Sequence, residues 1–435
     1  MTLARALWPW PGCAALVSVL APCLVASCTG SSASEPKEIV LELWAMGREG
    51  EVVTELMPEF ERMHPGIRVE VQQIPWSAAH EKLLTAFVGD ATPDVAQLGN
   101  TWIPEFAALG ALQALEPAVT GSAIVQPDDY FPGIWETNVF EGRLYGVPWY
   151  VDTRLLFYRR DLLAEVGYDA PPASWSEWME MLAAIKQRMG PDHYAILLPL
   201  NEFEPLLALA LQQDEPLLRE DGRWGNFRSQ GFRHALEFYL EMFRRDLAPP
   251  ATNTQIANVW NEFGRGYFSF YISGPWYIGE FKRRLPAEQQ DIWMTAPLPG
   301  PDGPGVSTAG GASLVVFSAS RRKQAAWQLI EYLSRPDVQL RFNALTGNLP
   351  PRRSTWSDER LAGDVHARAF REQLERVEPS PRVPEWERIA TEMRIVAEQA
   401  VHDNLSVDAA AAELDARADR ILEKRRWIMA RRSAE

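Results

Sequence analysis

The stretch LYGVPWYVDTRLLFYRRDLL, residues 144–163, decides how the chain is divided. It begins as an extended segment punctuated by glycine and proline, continues as an apolar strand, and opens a helix at Asp161. Proline lacks a backbone donor and biases the preceding residue away from helix, so such a segment suits a connection between two packed bodies. Trp149, Tyr150 and Asp152 lie at this crossing. Strands that join two lobes place such side chains on the floor of a cleft, within reach of a small polar ligand.

The length and composition of the chain indicate a globular protein with two domains. A chain of 435 residues is too long to fold around a single hydrophobic core. Its content of 46% hydrophobic and 23% charged residues is ordinary for a globular protein. The formal net charge of −15 argues against a nucleic-acid partner, which needs a basic face. The 17 tryptophans suit both core packing and the binding of sugar rings, and composition does not choose between these uses.

Residues 1–27 are predicted to form a lipoprotein signal peptide, and residues 28–36 a polar tether. An apolar run leads to Val-Ala-Ser-Cys at 25–28, which looks like the lipobox of a bacterial lipoprotein. Cleavage there would leave Cys28 as a lipidated first residue that holds the protein to a membrane. The other two cysteines lie upstream, so the mature chain would have neither a disulfide nor a cysteine-rich metal site. An ordinary signal peptide and an uncleaved anchor are the alternatives.

From residue 38 onwards, short apolar strands alternate with amphipathic helices. A strand at 39–44 is followed by helical spacing over 51–64 and by an alternating strand at 67–71. This order predicts a parallel sheet with helices on both faces. Ligands of such sheets bind at the carboxyl ends of the strands. Here those ends are Trp44 to Glu51, Gln73 to Trp76, and Gly99 to Trp102.

A second body follows the crossing. An apolar strand at 266–272 ends in the turn Ser-Gly-Pro-Trp, a proline- and glycine-rich run at 297–311 predicts a second crossing, and a third boundary falls at 347–353. We therefore predict an α/β protein with two lobes, each a mixed or parallel sheet flanked by helices. The predicted limits are 37–147 plus 298–320 for the first lobe, 152–297 plus 321–435 for the second, and hinges near 146–152, 295–300 and 318–323.

Several short motifs occur in a specific order. They are Pro-Glu-Phe at 58–60, Pro-Gly at 65–66, Pro-Asp-Val at 93–95, Gly-Val-Pro at 146–148, Tyr-Arg-Arg-Asp-Leu at 158–162, Gly-Pro-Trp at 274–276, Gly-Gly at 310–311 and Pro-Pro-Arg-Arg at 350–353. Together they resemble the family 1 extracellular solute-binding proteins of ABC sugar importers, over essentially the whole mature chain. Within that family the maltose and trehalose binding group is the most similar, with Tyr145 to Trp175 the best stretch.

The resemblance implies a two-lobed periplasmic-binding-protein fold of type II, whose lobes close on a saccharide by hinge bending and then dock on a membrane permease. The implied function is that of a monomeric substrate-binding lipoprotein of an ABC importer, periplasmic or at the cell surface. It would capture an α-linked disaccharide such as trehalose or maltose. The resemblance implies neither a cofactor nor a metal, and no catalytic activity.

The resemblance also carries over cleft residues. It implies Tyr150 and Asp152 at the crossing, and it assigns the role of a glutamate in the first loop to Glu49 or Glu51. Gly99 stands where relatives carry an aspartate, and Ala312 replaces an indole, so the identity of the disaccharide stays open. The expected ligand-binding residues are Trp44, Glu49, Glu51, Asn100, Trp102, Tyr150, Asp152, Trp276, Gly311 and Arg352.

These candidates have structural alternatives. Asp152 can accept from two vicinal sugar hydroxyls or pair with Arg154 or Arg159, and we favour the ligand. Trp276 can stack on a sugar or pack in a core. Arg352 offers a forked set of donors to a ligand or to a surface carboxylate.

The aromatic residues divide in the same way. Trp149 and Tyr150 point to opposite sides of an extended segment, and the resemblance selects Tyr150 for the ligand. The sequence does not decide whether Trp44, Trp102 and Trp260 line the cleft or pack in a core.

Catalytic motifs are absent from the sequence. The six histidines are scattered, and there is neither a Gly-x-Ser-x-Gly elbow nor a phosphate loop. A glycoside hydrolase needs only two carboxylates, so an exported hydrolase stays an alternative, as does a carbohydrate-binding adhesin.

Overall fold

The computed structural model describes residues 38–256 and 258–432. Residues 38–435 form one compact unit. The predicted signal peptide, the tether and the lipidation site Cys28 lie outside the described residues. Within the described ranges, the helices are too short or too polar to cross a bilayer.

The strands are short and mostly buried. In chain order they are β1 (Ile39–Met46), β2 (Ile67–Ile74), β3 (Val95–Gly99), β4 (Val139–Phe140), β5 (Arg143–Leu144), β6 (Val147–Val151), β7 (Leu155–Arg159), β8 (Tyr194–Leu197), β9 (Leu218–Arg219), β10 (Trp224–Gly225), β11 (Phe268–Ser273), β12 (Trp293–Ala296), β13 (Ser307–Thr308), β14 (Gly311–Val316) and β15 (Val377–Glu378).

Helices fill most of the remaining chain. They are α1 (Gly47–Val52), α2 (Met57–Met63), α3 (Trp76–Val88), α4 (Ile103–Ala108), α5 (Glu116–Thr120), α6 (Pro132–Glu136), α7 (Arg160–Glu165), α8 (Trp175–Met189), α9 (Glu204–Leu211), α10 (Gln230–Arg244), α11 (Val259–Gly264), α12 (Trp276–Arg284), α13 (Lys323–Leu333), α14 (Pro336–Thr346), α15 (Glu359–Ala362), α16 (Ala367–Gln373), α17 (Trp386–His402), α18 (Val407–Ile421) and α19 (Glu423–Arg432).

Two separate mixed sheets organise the molecule. The first has the strand order β2-β1-β3-β14-β6, and the second has the order β12-β7-β11-β8. In the first sheet β1 runs parallel to β2 and β3, while β14 is antiparallel to β3 and β6. In the second sheet β11 runs parallel to β8, and β7 is antiparallel to β11 and β12. The two predicted α/β lobes with mixed sheets are therefore present.

Both sheets are covered on both faces, because successive apolar side chains of their strands point to opposite faces. In β1, Leu41 and Leu43 join the core on one face, while Trp44 and Met46 join the core on the other. Strand β7 is apolar from Leu155 to Tyr158, and these successive residues likewise enter two different cores of the second sheet. Strands buried on both faces read as continuous apolar runs rather than as alternating ones.

Three segments of the chain pass between the sheets and lie side by side. Strand β6 ends at Val151 in the first sheet, and β7 begins at Leu155 in the second. The amide of Val151 donates to the carbonyl of Leu349 at 2.9 Å, and the amide of Asp152 donates to the carbonyl of Gly310 at 2.9 Å. The stretch 144–163 therefore runs between the segments that return after β12 and after α14.

The position of α13 and α14 differs from the predicted lobe limits. The sequence predicts that residues 321–435 belong to the second lobe, with a hinge near 318–323. In the structure α13 and α14 pack in the core of the first sheet, because their buried faces, with Ala326, Leu329 and Phe342, cover it. The chain leaves this lobe only after α14, at the boundary 347–353. Hinge motion at the crossings stays a prediction.

Candidate functional site

A cavity of about 490 Å³ lies between the two sheets. This volume falls within the range of about 300–1,000 Å³ that is typical of small-molecule sites. Both lobes and the crossing segments contribute to its wall. The lining residues are Glu49, Trp76, Gly99, Asn100, Thr101, Trp102, Tyr150, Asp152, Arg154, Phe203, Glu204, Leu207, Trp276, Thr308, Ala309, Gly310, Gly311, Asn348, Ser380 and Glu387.

The first-lobe wall consists of residues that follow the parallel strands β1, β2 and β3. Glu49 follows β1, Trp76 follows β2, and Asn100 to Trp102 follow β3. The carboxyl ends of parallel strands meet at one edge of a sheet, which brings these distant residues together. Glu49 is buried, and its Oε1 accepts a hydrogen bond of 2.7 Å from Nδ2 of Asn348. Asn100 is buried as well, and its Nδ2 donates to the carbonyl of Ala309 at 2.8 Å.

Strand β6 presents Tyr150 to the cavity and Trp149 to the core. Trp149 stacks on Phe342 with ring centroids 4.4 Å apart, and the ring of Tyr150 also approaches Phe342, at 6.2 Å. The two side chains therefore do not point to opposite sides as in a regular strand, because the register between β6 and β14 shifts at these residues. The hydroxyl of Tyr150 accepts from Nε2 of Gln97 at 3.0 Å. Burial, and then the nearby carboxylate of Glu49, hold the pKa of Tyr150 well above its ordinary value. The phenol therefore stays protonated, and it is hydrogen-bonded to the Glu49 carboxylate as well as to Gln97.

Asp152 faces the cavity within a network of carboxylates around Arg154. Nε of Arg154 lies 3.4 Å from Oδ1 of Asp152. Its Nη2 lies 2.8 Å from Oε1 of Glu204, and its Nη1 lies 3.4 Å from Oε2 of Glu202. The guanidinium is buried, whereas the side chain of Asp152 is 27% exposed. The geometry therefore allows both predicted roles of Asp152, because its carboxylate pairs with Arg154 and also lines the cavity where a ligand would bind.

The charges of this network set the protonation of Asp152. Burial raises the pKa of its carboxyl above the ordinary value, and the nearby Glu204 and Glu49 add to that rise, while Arg154 opposes it. A half-buried carboxylate with one cationic neighbour needs further donors to satisfy its oxygens. Sugar hydroxyls are donors of this kind.

The second-lobe wall combines aromatic and apolar side chains with the carboxyl groups of Glu204 and Glu387. Trp276 begins α12, directly after the turn that follows β11, and Phe203 and Leu207 add apolar surface from α9 and its N-terminal flank. The guanidinium of Arg154 lies 4.8 Å from the ring of Trp276. A Cβ atom on Gly274 would lie 1.9 Å from this indole, so only glycine permits the ring to fold back over the turn.

Glycines also shape the floor. Gly311 has φ of +139°, and a Cβ there would lie 2.2 Å from the carbonyl oxygen of Tyr150. A Cβ on Gly310 would lie 2.0 Å from the carbonyl oxygen of Asp152. Gly99 abuts Trp102, whose Cε2 would be 3.2 Å from a Cβ at that position. The tryptophan ring therefore takes the space that an aspartate at position 99 would enter.

Seven of the ten residues proposed from the sequence line the cavity, and three do not. Glu51 is exposed and pairs with Arg48 at 3.4 Å, which leaves Glu49 for the cavity. Trp44 is buried among the apolar residues on one face of the first sheet, with the ammonium of Lys82 4.8 Å from its ring. Its position is explained by the alternation of β1, which turns this side chain into the core.

Arg352 is the third residue outside the cavity. Its Nε donates to Oδ2 of Asp129 at 2.6 Å, and its Nη1 donates to the carbonyl of Ser334 at 2.7 Å. The side chain is buried, so it ties the segment after α14 to the first lobe. Trp260, left open by the sequence, packs against a core of the second sheet below the guanidinium of Arg284, at 4.1 Å.

The sequence analysis missed several lining residues, among them Trp76, Arg154, Glu204, Asn348 and Glu387. Trp76 carried a usable signal, because it ends the segment 73–76 that follows the second strand. The sequence predicts Arg154 only as a possible partner of Asp152. Glu204 begins α9 and Glu387 lies in the first turn of α17, and neither lies in a motif that would single it out.

The arrangement suits an uncharged ring that carries hydroxyl groups. Flat aromatic side chains pack against the C–H faces of such a ring, and buried carboxylates accept from its hydroxyls. Among the described residues, no group of three or more histidine, cysteine, aspartate or glutamate side chains is arranged to hold a metal ion.

Comparisons with known proteins agree with this geometry. Residues 46–340 match the family described as bacterial extracellular solute-binding protein. The structure of the sugar-binding protein MalE from Xanthomonas citri superposes with a TM-score of 0.87 at 58% identity, covering 90% of this chain and 99% of that one. A putative binding protein of Brucella abortus is 26% identical over 92% of this chain and 96% of its own length. The diacetylchitobiose binding protein DasA of Streptomyces coelicolor is 24% identical over 83% of this chain and 86% of its own length.

Proposed function

The chain belongs to the family of bacterial extracellular solute-binding proteins, and from this membership and the cavity we propose that it captures a sugar for an ABC importer. Its ligand on this proposal is an α-linked disaccharide such as trehalose or maltose. The protein releases that sugar to the transmembrane subunits of a permease.

One observation carries the proposal: aromatic and carboxylate side chains from both lobes face one cavity. Trp276 and Phe203 come from the second lobe, whereas Glu49 and Trp102 come from the first, and Asp152 lies on the crossing between them. A sugar in this cavity would contact both lobes at once. Such a ligand favours the conformation in which the lobes are close, because only that conformation makes both sets of contacts.

The choice of a disaccharide is supported by the size of the cavity and by the sugar-binding relative from Xanthomonas citri. Another relative binds diacetylchitobiose, so related chains differ in which sugar they bind. On this proposal the protein is monomeric and exported, and a lipid on Cys28 holds it at a membrane in the periplasm or at the cell surface.

The test is a thermal-shift screen of a panel of disaccharides, followed by isothermal titration calorimetry. We expect trehalose or maltose to raise the melting temperature saturably and to bind without turnover, with about 8 kcal/mol of binding free energy if the dissociation constant is micromolar. Release of glucose on prolonged incubation would instead indicate a glycoside hydrolase. If the purified protein binds the sugar but a strain that lacks the protein still takes up that sugar normally, the protein is an adhesin.

A further inference from the structure

Sugar capture leaves one exposed surface of the second lobe unexplained. Lys424, Trp427, Ile428 and Arg431 follow the spacing i, i+3, i+4 and i+7 along α19, which places them on one face of that helix. Trp427 is 59% exposed and Ile428 is 37% exposed. Lys424 and Arg431 are exposed as well. We call these four residues the Trp427 stripe.

The Trp427 stripe is the free side of a helix that is anchored through its other side. Nη1 of Arg426 donates to the carbonyl of Arg223 at 3.0 Å, and its guanidinium lies 3.8 Å from the ring of Trp224. Nη1 of Arg425 lies 3.9 Å from Oε2 of Glu385. Because these contacts fix the helix on the second lobe, the stripe is held facing outward.

The charge of the stripe is opposite to that of the protein. The formal net charge of the chain is −15, yet Lys424 and Arg431 flank the two apolar side chains of the stripe. Neither cation forms an ion pair with an acidic residue of the described chain. The guanidinium of Arg431 lies 4.6 Å from the ring of Trp427, which holds indole and cation together.

We infer that the Trp427 stripe is a contact site for an anionic lipid surface. Indole and aliphatic side chains flanked by lysine and arginine are typical of surfaces that lie in the bilayer interface. A stable protein interface engages about 20–30 residues a side, so two apolar side chains are too few for one. An anionic bilayer attracts each exposed cation and repels the acidic remainder of the molecule, so contact is confined to this helix.

The experiment uses protein that lacks residues 1–37, because residues 38–435 form a compact unit and no lipid anchor is then present. Flotation is measured with vesicles of phosphatidylcholine and phosphatidylglycerol in a three-to-one mixture, and with phosphatidylcholine alone. We expect binding to the anionic vesicles only. The double variant Lys424→Glu, Arg431→Glu should bind at least about 25-fold more weakly, since each lost cation costs a factor of about five and the new carboxylates are repelled by the anionic surface. Trp427→Ser should also weaken binding.

A matched control separates this site from general charge. The variant Arg321→Glu, Lys323→Glu changes the net charge equally at two exposed positions away from α19, and it should bind within twofold of the unmodified protein. Absence of binding to anionic vesicles at low salt, or equal losses in both double variants, would overturn the inference. Self-association in sedimentation that Trp427→Ser abolishes would assign the stripe to a second copy and overturn it too. Sugar-induced thermal shifts should be the same in all variants, so this test is independent of the proposed function.

Discussion

At the scale of single residues, Asp152 connects the cavity to the buried charges behind it. We expect Asp152→Asn to weaken sugar binding by about 1–3 kcal/mol, because a hydroxyl of the ligand loses its charged acceptor. Arg154 keeps Glu202 and Glu204 as partners, so the fold should persist. Calorimetry of the purified variant measures the effect.

The matched control for this prediction is Asp161→Asn. Asp161 also pairs with a buried arginine, at 2.6 Å from Nη2 of Arg159, but it does not line the cavity. Its substitution should leave sugar affinity unchanged. Equal affinities of the Asp152 variant and the unmodified protein would remove Asp152 from the site.

The pH dependence of binding follows from the same carboxyl. The pKa of Asp152 is raised above its ordinary value of 3.8 by burial, with further contributions from Glu204 and Glu49. The ionised form binds the sugar hydroxyls, so affinity is full above the raised pKa and falls as the pH drops through it. Calorimetry over a series of acidic pH values should show this loss beginning at higher pH than an exposed aspartate would give. The loss should be smaller in Asp152→Asn, and identical profiles would contradict the assignment.

At the scale of elements, the Gly310–Gly311 turn lets β14 approach β6 closely. We expect Gly311→Ala to lower the free energy of unfolding by about 1–3 kcal/mol, because a Cβ at φ of +139° is strained and would lie 2.2 Å from the carbonyl oxygen of Tyr150. Urea denaturation measures the change. Gly303→Ala is the control, since a Cβ there meets no heavy atom within 4 Å. Equal midpoints for the two variants would show that the turn tolerates a side chain.

The sequence was informative where local patterns determine structure. The alternation of strands and helices indicated the carboxyl ends of β1 to β3, and Glu49, Asn100 and Trp102 lie there. It was misleading where long-range packing decides. Arg352 pairs with Asp129, which is 223 residues away, and no local pattern reveals such a partner.

The assignment of α13 and α14, which precede the third crossing at 347–353, also depends on long-range packing. The apolar face of α13 is visible in the sequence, but periodicity cannot say which of two sheets that face covers. The prediction took the strand before α13 as the last element of the first lobe. Tertiary packing places α13 and α14 there as well.

At the scale of the whole molecule, a contact between Glu387 and Thr101 joins the two lobes beside the cavity. Glu387 lies in the first turn of α17, which packs in a core of the second sheet, and its carboxyl hydrogen-bonds with Thr101 in the turn after β3 of the first sheet. Burial raises the pKa of Glu387, and the hydrogen bond to Thr101 opposes that rise. If the lobes separate to admit the sugar, this contact breaks.

We therefore expect Glu387→Ala to weaken sugar binding mainly through faster dissociation, because the contact stabilises only the closed form. Stopped-flow fluorescence measures the two rate constants, and small-angle scattering measures the compaction that accompanies closure. Because Glu387 also lines the cavity, Thr101→Val and the double variant complete a cycle. If the two residues act through each other, the double variant loses no more affinity than Glu387→Ala alone. Fully additive losses, or a radius of gyration that saturating sugar leaves unchanged in the unmodified protein, would contradict closure through this contact.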